Sequence, residues 1–510
     1  MTARRLLIAV IGLVLLTGAA AAATRSANAL GLEERVVEHR LANGLTLLLM
    51  ERHQAPIVAV NLTYKVGGVH EHNGITGVAH LYEHMAFKGS RTIGVTDARK
   101  EQPVLEELDR LAEAITAEKA RGPAADKTRL AALRKQFKET EAMADSFVVP
   151  AELATLYQRH GGVGLNATTG KDLTRYFLSF PSNRLPLWAA VESDRMANGV
   201  LREFYKEKNV VLEERRQRTD NSPSGRLREA FSAAAFQAHP YGLPVIGWPS
   251  DLDGLSKART EAFFQTYYGP ANAVLAIVGD INQKNVIALV EQTFGRIPAR
   301  PPSPPVLTTE PPNAGERRVE VEYDAEPQIL VGFHKPGTGH PDDEIFDVIE
   351  SLLSDGRTSR LHKRLVQEKQ LATGVSAFSD YPGALYPNLF VIGATPRAPH
   401  TAAEVEQALY EELDRLKKEP VTPRELEKIL NQIDAAQVRS LRSNSGMASR
   451  LGYFQAINGD WRETFKRRDR IAKVSPGDIR RVAAQYFTKS NRVVATLVKP
   501  ANPTAPEAKP

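Results

Sequence analysis

The chain has 510 residues, with 66 Lys and Arg against 60 Asp and Glu, 12 His and no Cys. That length allows two to four domains of ordinary size. A content of 42% hydrophobic and 25% charged residues is the balance of a globular protein. The absence of Cys excludes disulfides, thiolate zinc sites, iron–sulfur clusters and a cysteine nucleophile, so any metal must be held by His and carboxylate.

In chain order, Met1–Ala29 comes first. It carries Arg4 and Arg5, an apolar run from Leu6 to Leu16, and the small-x-small triplet Ala27-Asn28-Ala29. That is the layout of a secretory signal peptide, and the run falls short of the ~20 residues a spanning helix needs. Its removal takes away Arg4, Arg5 and Arg25, lowering the net charge from +6 to +3. A charge of that size is no nucleic-acid footprint. No later run is apolar enough to cross a bilayer, so the expectation is a mature protein beyond the inner membrane, in the periplasm. A chain without thiols suits that oxidising compartment.

Residues 30–296 read as a first domain. Leu45–Met50 and Ile57–Val66 alternate as strands. His70-Glu71-His72 follows in a loop flanked by Gly67-Gly68 and Gly74, where the two histidines read as surface residues rather than a second metal site. A helix then carries His80 to His84. Residues 100–147 are rich in Ala, Leu, Glu, Lys and Arg, with Leu105, Leu108, Leu111 and Ile115 at helical spacing. After the breaker Arg121-Gly122-Pro123 come Leu130, Leu133 and Phe137, which predicts an inserted helical hairpin. A Glu-rich helix spans Glu207 to Glu214, with Val210 and Val211 expected toward a core. Ala273–Gly279 is a buried strand and Asn282–Phe294 a helix.

Residues 297–312 hold seven prolines in sixteen positions, a semi-rigid linker. Residues 313–500 form a second domain with strands Gln328–Phe333, Leu389–Ala394 and Arg492–Val498. Its helices are Glu344–Leu353, Ala402–Lys417 and Pro423–Ser440, and a low-complexity tail occupies 501–510. Pro270-Ala271-Asn272 before the strand AVLAIVG matches Lys489-Ser490-Asn491 before RVVATLV. The chain therefore reads as a duplicated α+β unit with segregated helices.

The chemistry gathers on two helices. In His80-Leu81-Tyr82-Glu83-His84, residues four apart stack on one helical face, so both imidazoles can grip one ion. Glu83, at the edge of that face, can reach a metal-bound water without filling a ligand position. The third ligand must be His or carboxylate, and Glu207 and Glu214, two turns apart on one face, offer candidates. His239 and His334 carry no spacing that singles them out.

The segment GVAHLYEHMAFKGS resembles the inverted-zincin metallopeptidases, the family of pitrilysin, insulysin and the mitochondrial processing peptidase. That resemblance implies Zn²⁺ held by His80, His84 and Glu214, Glu83 as general base and Glu207 as a supporting carboxylate. Gly164-Leu165-Asn166-Ala167-Thr168-Thr169 is similar to the family's substrate-binding edge strand, so Asn166 and Ala167 are expected to meet an extended peptide. Asp172, Thr174 and Tyr176 follow in the usual pattern. The fold implied is α+β: two homologous domains, each a mostly antiparallel sheet with helices on one face, forming half of a clamshell.

Two departures stand out. His84 and Glu214 are 130 residues apart, longer than the family's usual spacing, and the hairpin accounts for the excess. Val366 and Thr373 occupy positions where the family's second domain carries an Arg and a Tyr. The expectation is a zinc endopeptidase supplying the HxxEH half of a site, acting on peptides or extended segments. A dimer with a homologous subunit would provide the Arg/Tyr pair. The alternative is a non-catalytic peptide-binding or partner subunit.

Overall fold

The computed structural model describes residues 31–500; the expected signal peptide and tail lie outside them. Six strands build the first sheet: β1 (Val36–Arg40), β2 (Thr46–Glu51), β3 (Ile57–Tyr64), β4 (Val163–Thr169), β5 (Thr174–Pro181) and β6 (Ala273–Gly279). Their spatial order is β1-β2-β6-β3-β5-β4. β6 is buried at all seven positions, as an unbroken apolar run covered on both faces must be. Five strands build the second: β7 (Arg317–Glu322), β8 (Gln328–Lys335), β9 (Ala372–Tyr381), β10 (Asn388–Pro396) and β11 (Arg492–Val498), in the order β7-β11-β8-β10-β9. Each sheet has one parallel pair, β2 with β6 and β7 with β11, and is otherwise antiparallel. The orders β2-β6-β3-β5-β4 and β7-β11-β8-β10-β9 therefore correspond strand for strand in order and pairing sense.

The helix α1 (Val78–Met85) carries the HxxEH motif. The hairpin forms as α2 (Ala98–Ala120) and α3 (Lys127–Asp145), each capped by an Asp side chain, Asp97 and Asp126. Capping of that kind satisfies backbone N–H groups that the first turn leaves free. The helix α4 (Phe204–Arg215) carries Glu207 and Glu214. On α4, Val211 is fully buried, but Val210 is 50% exposed, contrary to the expectation that both face a core. Successive residues on a helix point about 100° apart, and the core takes only one of them.

In each half a set of helices packs on one face of its own sheet. Leu47, Leu49, Leu275 and Ile277 pack under Leu81, Trp188 and Phe264, while Val331, Phe390 and Ile392 pack under Phe346, Leu409 and Val482. The opposite faces are covered by exchange. The helix α5 (Pro223–Ala235) belongs to the first half but lies on the second sheet, where Leu227 and Phe231 meet Val391, Val493 and Ala495. The helix α6 (Asn444–Asn458) belongs to the second half but lies on the first sheet, where Met447, Ala448 and Leu451 meet Leu48, Val274 and Ala276. Both contacts are close. A Cβ at Gly332 of β8 would lie 2.5 Å from the Phe231 ring, and one at Gly452 would lie 3.0 Å from Thr63 Oγ1. Asp172 of the first half ties the halves further, accepting from the backbone N–H of Ala384 at 2.7 Å and Leu385 at 3.2 Å.

Candidate metal centre

The helix α1 begins at Gly77, whose φ of +86° suits glycine and whose lack of a side chain leaves the first turn uncapped. Glu71 supplies the cap: its two carboxylate oxygens accept from Gly77 N–H and Ala79 N–H, each at 2.8 Å. The surface reading of this loop's histidines needs correction at His70. Glu71 is 2% exposed, and the His70 ring is half-buried with its centroid 5.0 Å from that of Tyr267; only His72 is exposed.

Helical spacing brings the two imidazoles to 4.7 Å between centroids, and α4 crosses beneath them. Glu214 Oε2 lies 3.6 Å from His80 Nε2 and 3.2 Å from His84 Nε2. These three residues bring one nitrogen or oxygen each to within 4.8 Å of one another. Among the described residues Glu214 Oε2 and His80 Nδ1 are buried without a hydrogen-bond partner. A buried acceptor left open toward two ring nitrogens is costly unless something fills the space. An N₂O donor set of this kind fits a first-row divalent cation.

The residues around the triad fix its geometry. His84 Nδ1 lies 2.8 Å from Glu207 Oε1, which sets the ring so that Nε2 faces Glu214. Glu207 in turn pairs with Lys88 Nζ at 2.7 Å. Glu214 Oε1 pairs with Arg218 at 2.7 Å, one turn further along the chain. Burial draws His80 down to about 3, which favours the neutral imidazole, the form able to bind a metal. Burial also acts on His84, but its bond to Glu207 and the nearby carboxylates outweigh it and leave it raised. Burial raises Glu83 against the opposing hydrogen bond from Thr169. Burial works against Glu207 as well, and its bonds to His84 and Lys88 bring it below the usual carboxylate value.

All this lines a cleft of about 1030 Å³, which also includes Asn166 to Thr169 of β4. β4 is the edge of its sheet; Asn166 is exposed and Ala167 buried. On the other half, Val366 sits in the irregular helical segment His362–Glu368. Thr373 is exposed on the edge strand β9, and its hydroxyl donates to Thr395 O at 3.3 Å. Sequence reading missed Glu71, Lys88, Thr169 and Arg218. Only Arg218 left a signal, four residues after Glu214 on the same helical face.

Residues 46–100, which include α1, match the family model described as Insulinase (Peptidase family M16). Residues 254–433 match the one described as Peptidase M16 inactive domain. The chain is similar to M16 peptidases in both of its halves. Glu207 and Glu214 fall between the two matched segments. Zinc protease PqqE of Helicobacter pylori is 28% identical over 90% of this chain and 92% of its own length. The uncharacterized zinc protease YmxG of Bacillus subtilis is 24% identical over 88% and 94%. Among solved structures, a protease from Helicobacter pylori matches with a TM-score of 0.77 at 26% identity, over 91% of this chain and 99% of that one. The first half of the periplasmic protease PqqL from Escherichia coli shares the fold, with a TM-score of 0.66 at 17% identity over 92% of each chain. Against whole PqqL this chain spans 48%.

Proposed function

We propose that the protein is a zinc-dependent endopeptidase in which His80, His84 and Glu214 hold the metal. The observation that carries this reading is the convergence of two Nε2 atoms on an unpartnered Glu214 oxygen, with Glu207 orienting His84 from behind. Relatives named zinc proteases support the choice of metal. Zn²⁺ in such a site supplies a Lewis acid for the scissile carbonyl and for the attacking water.

The chain's own residues do the rest. Glu83, on the same face, accepts the proton of the attacking water and delivers it to the leaving amine. Its raised affinity for a proton, which comes from burial, suits that double task. The free edge of β4 at Asn166 and Ala167 offers backbone partners to an extended peptide beside the metal. The second half contributes no oxyanion donor at Val366 or Thr373, and one such donor is worth ~10²–10³ in rate. The missing donors belong to a homologous partner subunit in a closed chamber. The leader sequence and the likeness to a periplasmic protease support a periplasmic location.

The test pairs metal analysis with peptide cleavage. His80→Ala, His84→Ala and Glu214→Gln each lose both zinc and activity. Glu83→Gln keeps zinc and loses activity. A wild-type chain without stoichiometric zinc supports the second reading, a non-catalytic subunit, which the description of the second-half match as an inactive domain favours. Full activity from the pure chain removes the need for a partner.

A further inference from the structure

The hairpin α2–α3 interrupts the chain between the two metal-binding helices, and at its base lies an unusual pair. Arg202 is 1% exposed and Glu101, in the first turns of α2, is 2% exposed. They form a two-pronged ion pair: Arg202 Nε bonds Glu101 Oε1, and Nη2 meets Oε2 at 2.9 Å. The same guanidinium donates to three carbonyls of the loop that leaves α1: Lys88 O at 2.7 Å, Ser90 O at 3.0 Å and Ile93 O at 3.4 Å. Arg202 sits two residues before α4. One buried side chain thus holds the exit of the His80/His84 helix against the entry of the Glu207/Glu214 helix.

Gly94 makes room for it. At φ +84°, a Cβ there would lie 3.0 Å from Arg202 Nη1 and 2.5 Å from Lys88 O. The hairpin grips α4 at further points. Tyr205 Oη donates to Asp109 at 3.0 Å, its ring meets Phe137 edge-on at 5.2 Å between centroids, and Lys206 pairs with Asp145 at 2.5 Å. A buried guanidinium is tolerated only with a countercharge, and that countercharge comes from the insertion.

We infer that the inserted hairpin is a positioning element of the metal centre, acting through Glu101 and Arg202 to set the separation of α1 from α4. The inference rests on the zinc reading of His80, His84 and Glu214. The pair touches neither metal nor peptide, and groups that orient ligands from outside commonly govern metal affinity by ~10–100-fold.

Two measurements test it. In the first, hydrogen exchange of the wild-type protein is compared with and without zinc. Coupling is reciprocal, so zinc is expected to slow exchange not only in α1 and α4 but also across residues 88–105. Protection confined to α1 and α4 overturns the inference. In the second, Glu101→Leu and Arg202→Met are combined, which removes both charges while keeping bulk. A buried pair exchanged for apolar groups often leaves stability intact. The expected result is a little-changed melting temperature with zinc affinity, read by chelator competition, lowered ~10–100-fold. A folded double variant with wild-type affinity overturns the inference; if it does not fold, the exchange measurement decides. Glu107→Gln, partly exposed on the same helix and paired with Arg110, is expected to alter neither readout. An equal effect there assigns the result to general loosening of the hairpin and overturns the inference. A wild-type chain that binds no zinc overturns the site reading itself, and this inference with it.

Discussion

His80 and His84 are one helical turn apart, and burial acts on both, yet their proton affinities move in opposite directions. The difference is Glu207, which bonds to His84 and has no counterpart behind His80. Elsewhere burial acts without such compensation. His239 and His334, at the junction of the halves, are drawn to about 4 by burial, against the opposing charge of Glu310. Their Nε2 atoms have no hydrogen-bond partner among the described residues. A histidine whose folded pKa lies below its unfolded value of ~6.5 leaves the unfolded chain holding more protons between those two values. Stability is then full above pH ~6.5 and falls as the pH drops toward 4. Each residue contributes a slope of up to ~1.4 kcal/mol per pH unit. Denaturant titrations of the metal-free protein between pH 6.5 and 4 are expected to show this slope. His334→Phe, which keeps a ring beside Phe236, is expected to reduce it, and an unchanged slope counts against the assignment.

Elements declared themselves in the sequence when their pattern was local. β6 and β11 are apolar runs bounded by turn residues, and the structure places them at Ala273–Gly279 and Arg492–Val498, as read. The hairpin showed in its leucine spacing and its Gly-Pro break. β4 showed less: Gly164 and Asn166 dilute its alternation, so likeness to known peptidases marked it rather than periodicity. For α5 and α6 the pattern shows that a face is buried and is silent about which sheet buries it. The same limit hid Glu101 and Arg202, which look like ordinary charged residues until a partner 101 positions away makes them core. The contact between α5 and β8 leads to a sharp expectation. Gly332→Ala places a methyl group where the Phe231 ring lies, 2.5 Å from the new carbon. Either the ring or the helix must shift, at ~1–3 kcal/mol for an overpacked core site. Thermal unfolding reads that loss; Gly315→Ala, with open space around it, serves as the control.

At the scale of the whole molecule, the exchange of α5 and α6 means that neither half carries all of its own core. Detaching the second half uncovers Leu48, Val274 and Ala276 of the first sheet. Detaching the first uncovers Val391, Val493 and Ala495 of the second. Each exposed face is a contiguous apolar patch of the kind that drives association or aggregation. The connection between the halves, by contrast, holds no helix or strand over residues 298–313, and Leu307 is 84% exposed. Cleavage of the folded protein within that segment is therefore expected to leave two fragments that co-elute in size-exclusion chromatography and unfold in one cooperative transition. The fragments produced separately are expected to be insoluble or to lack cooperative unfolding, and to regain it when refolded together. A first-half fragment that folds alone and binds zinc with full affinity shows instead that α6 is dispensable for the metal centre. It leaves the exchange as packing between two independent domains.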